Sequence, residues 1–195
     1  MATRLPAPVR REQLLDVALE EFGATGFHQT SMHTIAERAG VTKPVVYQHF
    51  PSKRELYLEV LAAVGQRLRT EMEDAAAAAE SPHEIVEEGF RRWFGFFDTQ
   101  PAAFRVLFGE ASRSDREFAR EVAIVEHTMA EWVSASLTID YLEPQARLLF
   151  GHAIVGMAEG AVRHWFAENR SMSAHALAAR MSELAWLGLR GRPDI

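Results

Sequence analysis

Residues 30–53 read Thr30-Ser-Met-His-Thr-Ile-Ala-Glu-Arg-Ala-Gly-Val-Thr-Lys-Pro-Val-Val-Tyr-Gln-His-Phe-Pro-Ser-Lys53. Ser31 is placed to cap a short helix over about Met32–Arg38, with Ile35, Ala36 and Ala39 turned inward. Gly40 follows, a residue that tolerates the positive φ of a sharp helix exit. A second short helix is predicted over Lys43–His49, with Thr42 as N-cap and Pro44 in the first turn, where a missing N–H costs little. Two short helices joined by Ala39-Gly40-Val41 and held by Ile35, Ala36, Val41 and Val46 make a helix-turn-helix pattern. An ordinary αα-hairpin of a helical bundle fits the same spacing.

Helical periodicity continues on both sides. Leu14, Leu15, Ala18, Leu19 and Phe22 form one stripe that is expected to stop at Gly23 and Gly26. Downstream, Ser52-Lys53-Arg54-Glu55, Ser81-Pro82-His83-Glu84 and Ser114-Asp115-Arg116-Glu117 read as capping boxes opening helices of about 53–78, 82–98 and 114–138. Pro101 starts a short helix to about Gly109. Pro144 and Ser173 start the last two, about 144–168 and 174–190, before Gly191 and Pro193 end the chain. The expectation is an all-α fold of about nine helices and no strand. No Gly/Ser linker separates its halves, so the helix at 53–78 is shared by a head at 1–54 and a body at 55–195.

Composition agrees with a globular chain: 195 residues, 48% hydrophobic and 25% charged. The absence of cysteine excludes disulfides, thiolate metal sites and cysteine nucleophiles. Net charge is −6, yet residues 1–54 hold seven Lys/Arg against five Asp/Glu, so the sign is positive where a polyanion would dock. No apolar stretch approaches membrane-spanning length, and Met1–Arg11 lacks the apolar core of a signal peptide. A soluble cytoplasmic protein without membrane partners is expected.

The run from Thr30 to Lys53, with its caps, turn glycine, Tyr47, Phe50 and Lys53 in register, closely resembles the DNA-binding domain of the tetracycline-repressor (TetR) family. The resemblance covers about residues 10–60 and implies a three-helix DNA-reading head on a larger dimerising, ligand-binding helical body. It implies DNA contacts from Thr30, Ser31, His33, Thr42, Lys43, Pro44, Val45, Tyr47, Gln48, His49 and Lys53. Lys43, Pro44, Val45 and Gln48 suit base edges, with Pro44 and Val45 fitting thymine methyls. Tyr47, His49 and Lys53 suit phosphates, Lys53 together with the N-terminus of its helix. His33 departs from the family, which often has arginine there.

The remainder is rich in rings. Phe90, Trp93, Phe94 and Phe97 share one helical face; Phe118, Val122, Val125, Met129 and Trp132 share a second; Phe104 and Phe108 supply a third wall. These stripes fill a core or line an apolar ligand cavity. The candidate ligand residues are Trp93, Phe97, Phe104, Phe108, Val125, Met129, Trp132, His152 and Glu159, the last two being seven apart on one helix face; His127 and Arg163 are further polar candidates. Gly151, Gly156 and Gly160 lie inside a helix, where close packing must compensate their low propensity. With Trp186, Gly156 and Gly160 mark the expected dimer interface. The histidines show no metal-ligand spacing, and no triad, P-loop or dinucleotide fingerprint is present, so no metal, cofactor or enzymatic activity is expected. The expected function is a homodimeric repressor, bound to a double-stranded operator with paired half-sites and released by a small apolar effector. Two rivals remain: a DNA-binding regulator without such an effector, and a helical enzyme or binding module whose N-terminal hairpin is only structural.

Overall fold

A computed structural model describes residues 5–136 and 143–189. Ten helices and no strand occur among them: α1 (Ala7–Gln29), α2 (Met32–Arg38), α3 (Lys43–His49), α4 (Lys53–Ala78), α5 (Pro82–Thr99), α6 (Pro101–Phe108), α7 (Glu110–Ser114), α8 (Arg116–Ser136), α9 (Pro144–Ala167) and α10 (Ala174–Leu189). Gly191 and Pro193, read as the end of the last helix, lie outside the described residues, as do residues 137 and 138. The all-α expectation holds, with one more helix than counted. The addition is α7, and its cause is local. Ser114 bonds back to Glu110 O at 2.8 Å inside α7, while Asp115 accepts from Glu117 N at 2.9 Å and Phe118 N at 3.3 Å. Asp115, not Ser114, therefore caps α8. The capping serines at the other starts behave as expected: Ser52 accepts from Glu55 N, Ser81 from Glu84 N and Ser173 from Ala176 N.

The chain forms two compact units. The first comprises residues up to 65 together with 100–122; the second comprises 66–99 and residues from 123 onward. A single cut at 54 does not reproduce this division, because α4 and α8 each contribute residues to both units.

In the first unit the α1 stripe is buried as expected, with Leu14 and Ala18 wholly enclosed. The helix does not stop at Gly23. A Cβ there would lie 2.6 Å from the Ala102 Cβ, so the glycine exists to let α6 cross α1 closely. The break falls at Gly26 (φ 82°, ψ 163°), beyond which one more helical turn runs to Gln29. Phe22, Phe27, Tyr57 and Phe118 form an aromatic cluster with centroid separations of 4.5–6.0 Å. Tyr57 donates to Val106 O at 3.1 Å, and its burial pushes the phenol above its ordinary value.

The second unit is built on α5. Its Phe94 and Phe97 are fully enclosed, α10 packs along it, and Trp165 of α9 meets Phe94 edge-on at 6.4 Å. α9 approaches α8 at Gly151, where a Cβ would fall 2.2 Å from the Ala130 carbonyl oxygen. Close packing therefore compensates Gly151. Gly156 and Gly160 have open space instead.

Candidate DNA-reading surface and effector cavity

The turn between α2 and α3 is set by backbone geometry. Gly40 takes φ 66°, Gly40 N donates to Glu37 O at 3.0 Å, and Val41 N donates to Ala36 O at 2.9 Å. This pair of bonds closes a Schellman motif, which a residue with a Cβ resists. Val46 and Phe50 point inward, 0% and 1% exposed, and Ile35 and Ala36 are buried on α2, which packs against α3. Arg38 anchors α2 to α1 through Glu21, a buried carboxylate 3.0 Å away. With the inner face so occupied, α3 turns Lys43, Pro44, Tyr47 and Gln48 outward, and Val45 and His49 are half-buried beside them. Lys43 lies 5.8 Å from the Tyr47 ring centroid, a cation–π spacing that keeps both on one edge of the helix. Ser31 and His33 are exposed on α2, Ser31 accepting from Thr34 N at 3.0 Å and His33 lying 3.3 Å from Glu37. Thr42 is exposed at the N-terminus of α3 without a side-chain cap bond.

Two of the sequence candidates have different surroundings from those expected. Thr30 is 3% exposed, and its hydroxyl bonds to Gly26 O at 2.8 Å, Glu21 O at 3.2 Å and Thr25 Oγ1 at 2.8 Å. Lys53 Nζ donates to Phe27 O at 2.8 Å, Thr30 O at 2.9 Å and His28 O at 3.3 Å, and sits 4.5 Å above the Phe27 ring. An ammonium has three N–H bonds, and all three are directed to the carbonyls that end α1. Beside it, Arg54 forks onto both carboxylate oxygens of Asp115 at 2.7 and 2.8 Å and reaches Glu117 at 2.5 Å. The Arg54 bond holds the Asp115 carboxyl down to about 2, and the two carboxylates push the guanidinium up.

The second unit holds a cavity of about 60 Å³. Its wall comes from Met72 of α4; Ile85, Val86, Gly89, Phe90 and Trp93 of α5; Met129, Trp132, Val133 and Ser136 of α8; and Ile154, Val155 and Ala158 of α9. Of the nine expected ligand residues, Trp93, Met129 and Trp132 line it; the other six do not. Phe97 and Val125 are buried elsewhere in the core, and Phe104 and Phe108 belong to the first unit. His152 and Glu159 do share a face of α9, but neither lines the cavity, which α9 borders with Ile154, Val155 and Ala158. His152 is exposed and bonds His127 across 3.1 Å. Glu159 pairs with Arg163 at 2.8 Å and faces Glu126, whose carboxyl is pushed up by burial first and by Glu159 second. The missed wall had a signal. Ile85, Val86, Gly89, Phe90 and Trp93 recur at i, i+1, i+4, i+5 and i+8, with a glycine where the Trp132 ring approaches to 4.0 Å of a Cβ.

Family models match both parts of the chain: bacterial regulatory proteins of the tetR family over residues 14–60, and the tetracyclin repressor-like C-terminal domain over residues 82–188. The chain belongs to the TetR family. A TetR-like transcriptional regulator from Rhodococcus sp. RHA1 is similar in structure, with TM-score 0.77 and 31% identity over 97% of this chain and 100% of that one. The HTH-type transcriptional activator FasR of Mycolicibacterium smegmatis is 29% identical over 97% of this chain and 87% of its own length. FadR from Bacillus subtilis, solved in complex with stearoyl-CoA, shares the fold at TM-score 0.77 and 20% identity, covering 89% of this chain and 96% of that one. As a TetR-family member the protein is a DNA-binding transcriptional regulator, and regulators of this family act as dimers. Among the described residues no helix is long and apolar enough to cross a membrane.

Proposed function

We propose that this regulator is a homodimeric cytoplasmic repressor whose hold on a paired half-site operator is weakened when an apolar effector enters the cavity of the second unit. The observation that carries the reading is a cavity wall with no charged side chain among the described residues, in a chain whose α3 presents Lys43, Pro44, Tyr47 and Gln48 to solvent. Residues 1–54 read DNA and residues 55–195 bind effector and partner copy. Lys43, Pro44, Val45 and Gln48 meet base edges; Tyr47, His49, Ser31, His33 and Thr42 meet phosphates. Lys53 and Thr30 act one step back, by fixing the turn from which α2 departs. At about 60 Å³ the cavity is well below the roughly 300 Å³ of a drug-sized site, so the effector widens it. The flexible Met72 and Met129 side chains are the yielding parts of the wall.

Dimerisation is assigned to α9 and α10. Leu149, Leu184 and Leu187 are 68%, 57% and 61% exposed, and Gly156 and Gly160 stand open along α9. A second copy laid on these faces buries them in a four-helix bundle. Trp186 is half-buried beside them, its ring 4.7 Å from His83 of α5, so it supports this face from behind as well as bordering it.

Effector binding shifts a population between two separations of the α3 helices, whose half-sites lie roughly 34–36 Å apart or a multiple. Fluorescence anisotropy of an operator duplex, titrated with and without an acyl ester, tests this. Tighter binding in the presence of effector would favour the second reading, an activator, which the name of the M. smegmatis relative supports. Unchanged operator affinity at saturating effector would remove the effector reading.

A further inference from the structure

Trp93, one of the residues lining the cavity, carries a buried polar atom that is left unpaired among the described residues. Trp93 lines the cavity and is 7% exposed, and its Nε1–H has no hydrogen-bond partner among the described residues. Trp165, the other buried indole of this unit, donates to Met172 O at 2.8 Å. Trp132 and Ser136 are partly exposed and can meet water. A buried donor left unpaired destabilises the fold, and a ligand bringing an acceptor recovers that loss on binding. Among the described residues no lining residue is ionisable, so a carboxylate or ammonium at this depth would have no counter-charge from them.

We propose that the Trp93 Nε1–H is the donor that orients the effector, and that the effector carries an uncharged carbonyl-type acceptor on an apolar skeleton, as in an ester, thioester or ketone. This rests on the cavity being the effector site. A site built around a donor discriminates strongly against analogues lacking the acceptor, whereas an apolar wall alone discriminates weakly by size. Trp93 therefore sets specificity, while the methionines and aliphatic residues set capacity.

The test uses the full chain with 15N-indole-labelled tryptophan and three probes of equal length: 2-octanone, octanoate and n-octane. The Trp93 signal is assigned from its contacts with the Phe97 ring, 5.2 Å away, so no variant is needed to find it. 2-Octanone is expected to move the Trp93 Nε1–H resonance downfield, and n-octane to leave it in place. In Trp93→Phe the preference for ketone over alkane, read as the ratio of dissociation constants, is expected to fall about tenfold. Binding of 2-octanone with the Trp93 signal unmoved and that ratio unchanged would overturn the assignment and leave the cavity reading standing. Octanoate moving the signal as far as the ketone would overturn the exclusion of charge. If none of the three bound, the cavity reading would fall and the role of Trp93 with it.

Discussion

Half-buried Lys53 and buried Trp93 both carry N–H donors, and the two are treated in opposite ways. The Lys53 ammonium reaches three carbonyls and an aromatic face. The Trp93 N–H reaches nothing among the described residues. Around Lys53 the polar groups are satisfied within the chain, so the α1 exit and the start of α2 are held in one geometry before DNA arrives. Around Trp93 a donor and some space are left over. A fully bonded region reads a partner rigidly, and an incompletely bonded one is completed by its ligand.

The largest expected effect breaks the satisfied side of this comparison. Lys53→Met leaves three carbonyls without their donor and should lower stability by about 2–3 kcal/mol, a drop of several degrees in Tm by thermal unfolding. Operator affinity should fall for all sequences with the salt dependence unchanged. A phosphate contact would instead reduce the slope of log K against log salt by about 0.9. Tyr47→Ala is the counterpart, expected to weaken operator binding in anisotropy titrations with no change in Tm, because this 43%-exposed ring is on the outer face of α3.

A pair of glycine variants extends the contrast to α9. Gly151→Ala drives a Cβ into the Ala130 carbonyl and should cost about 1–3 kcal/mol in denaturant unfolding. Gly156→Trp meets open space within the chain, so the monomer should stay folded while light scattering reports loss of the dimer. Gly89→Ala sharpens the vacancy side. Its Cβ reaches the Trp132 ring at an ordinary 4.0 Å. The variant should gain roughly 1 kcal/mol from helix propensity while binding 2-octanone more weakly.

The smallest effect depends on pH. Glu126 has a folded-state pKa raised above 4.5 by burial and then by Glu159, so the stability linked to its proton is full below 4.5 and is lost as pH rises through the raised value. Glu126→Gln should therefore raise Tm at pH 7 by about 1–2 °C, and the difference from wild type should vanish in scans below about pH 4.

Local signals carried most of the helix boundaries and the whole of the α2–α3 turn. Caps, Pro44 and Gly40 act over four or five residues, so they are visible in sequence. Where the reading slipped, the cause was a non-local neighbour. Gly23 looked like a stop because the passage of α6 at Ala102 cannot be seen from α1. Ser114 lost its cap to Asp115, whose carboxylate Arg54 holds from α4.

By itself the sequence determined that the fold is all-α, that α3 turns Lys43, Pro44, Tyr47 and Gln48 outward and that the body is rich in rings. Those properties follow from periodicity and residue type, which are local. Tertiary structure decided that Thr30 and Lys53 hold the turn, that His152 and Glu159 do not line the cavity, and that Gly151 alone of the three α9 glycines is packed against α8. It also decided which of the two buried indoles, Trp93 and Trp165, was left without a partner among the described residues. A stripe of residues specifies a face, and only the packing of several helices selects what that face meets.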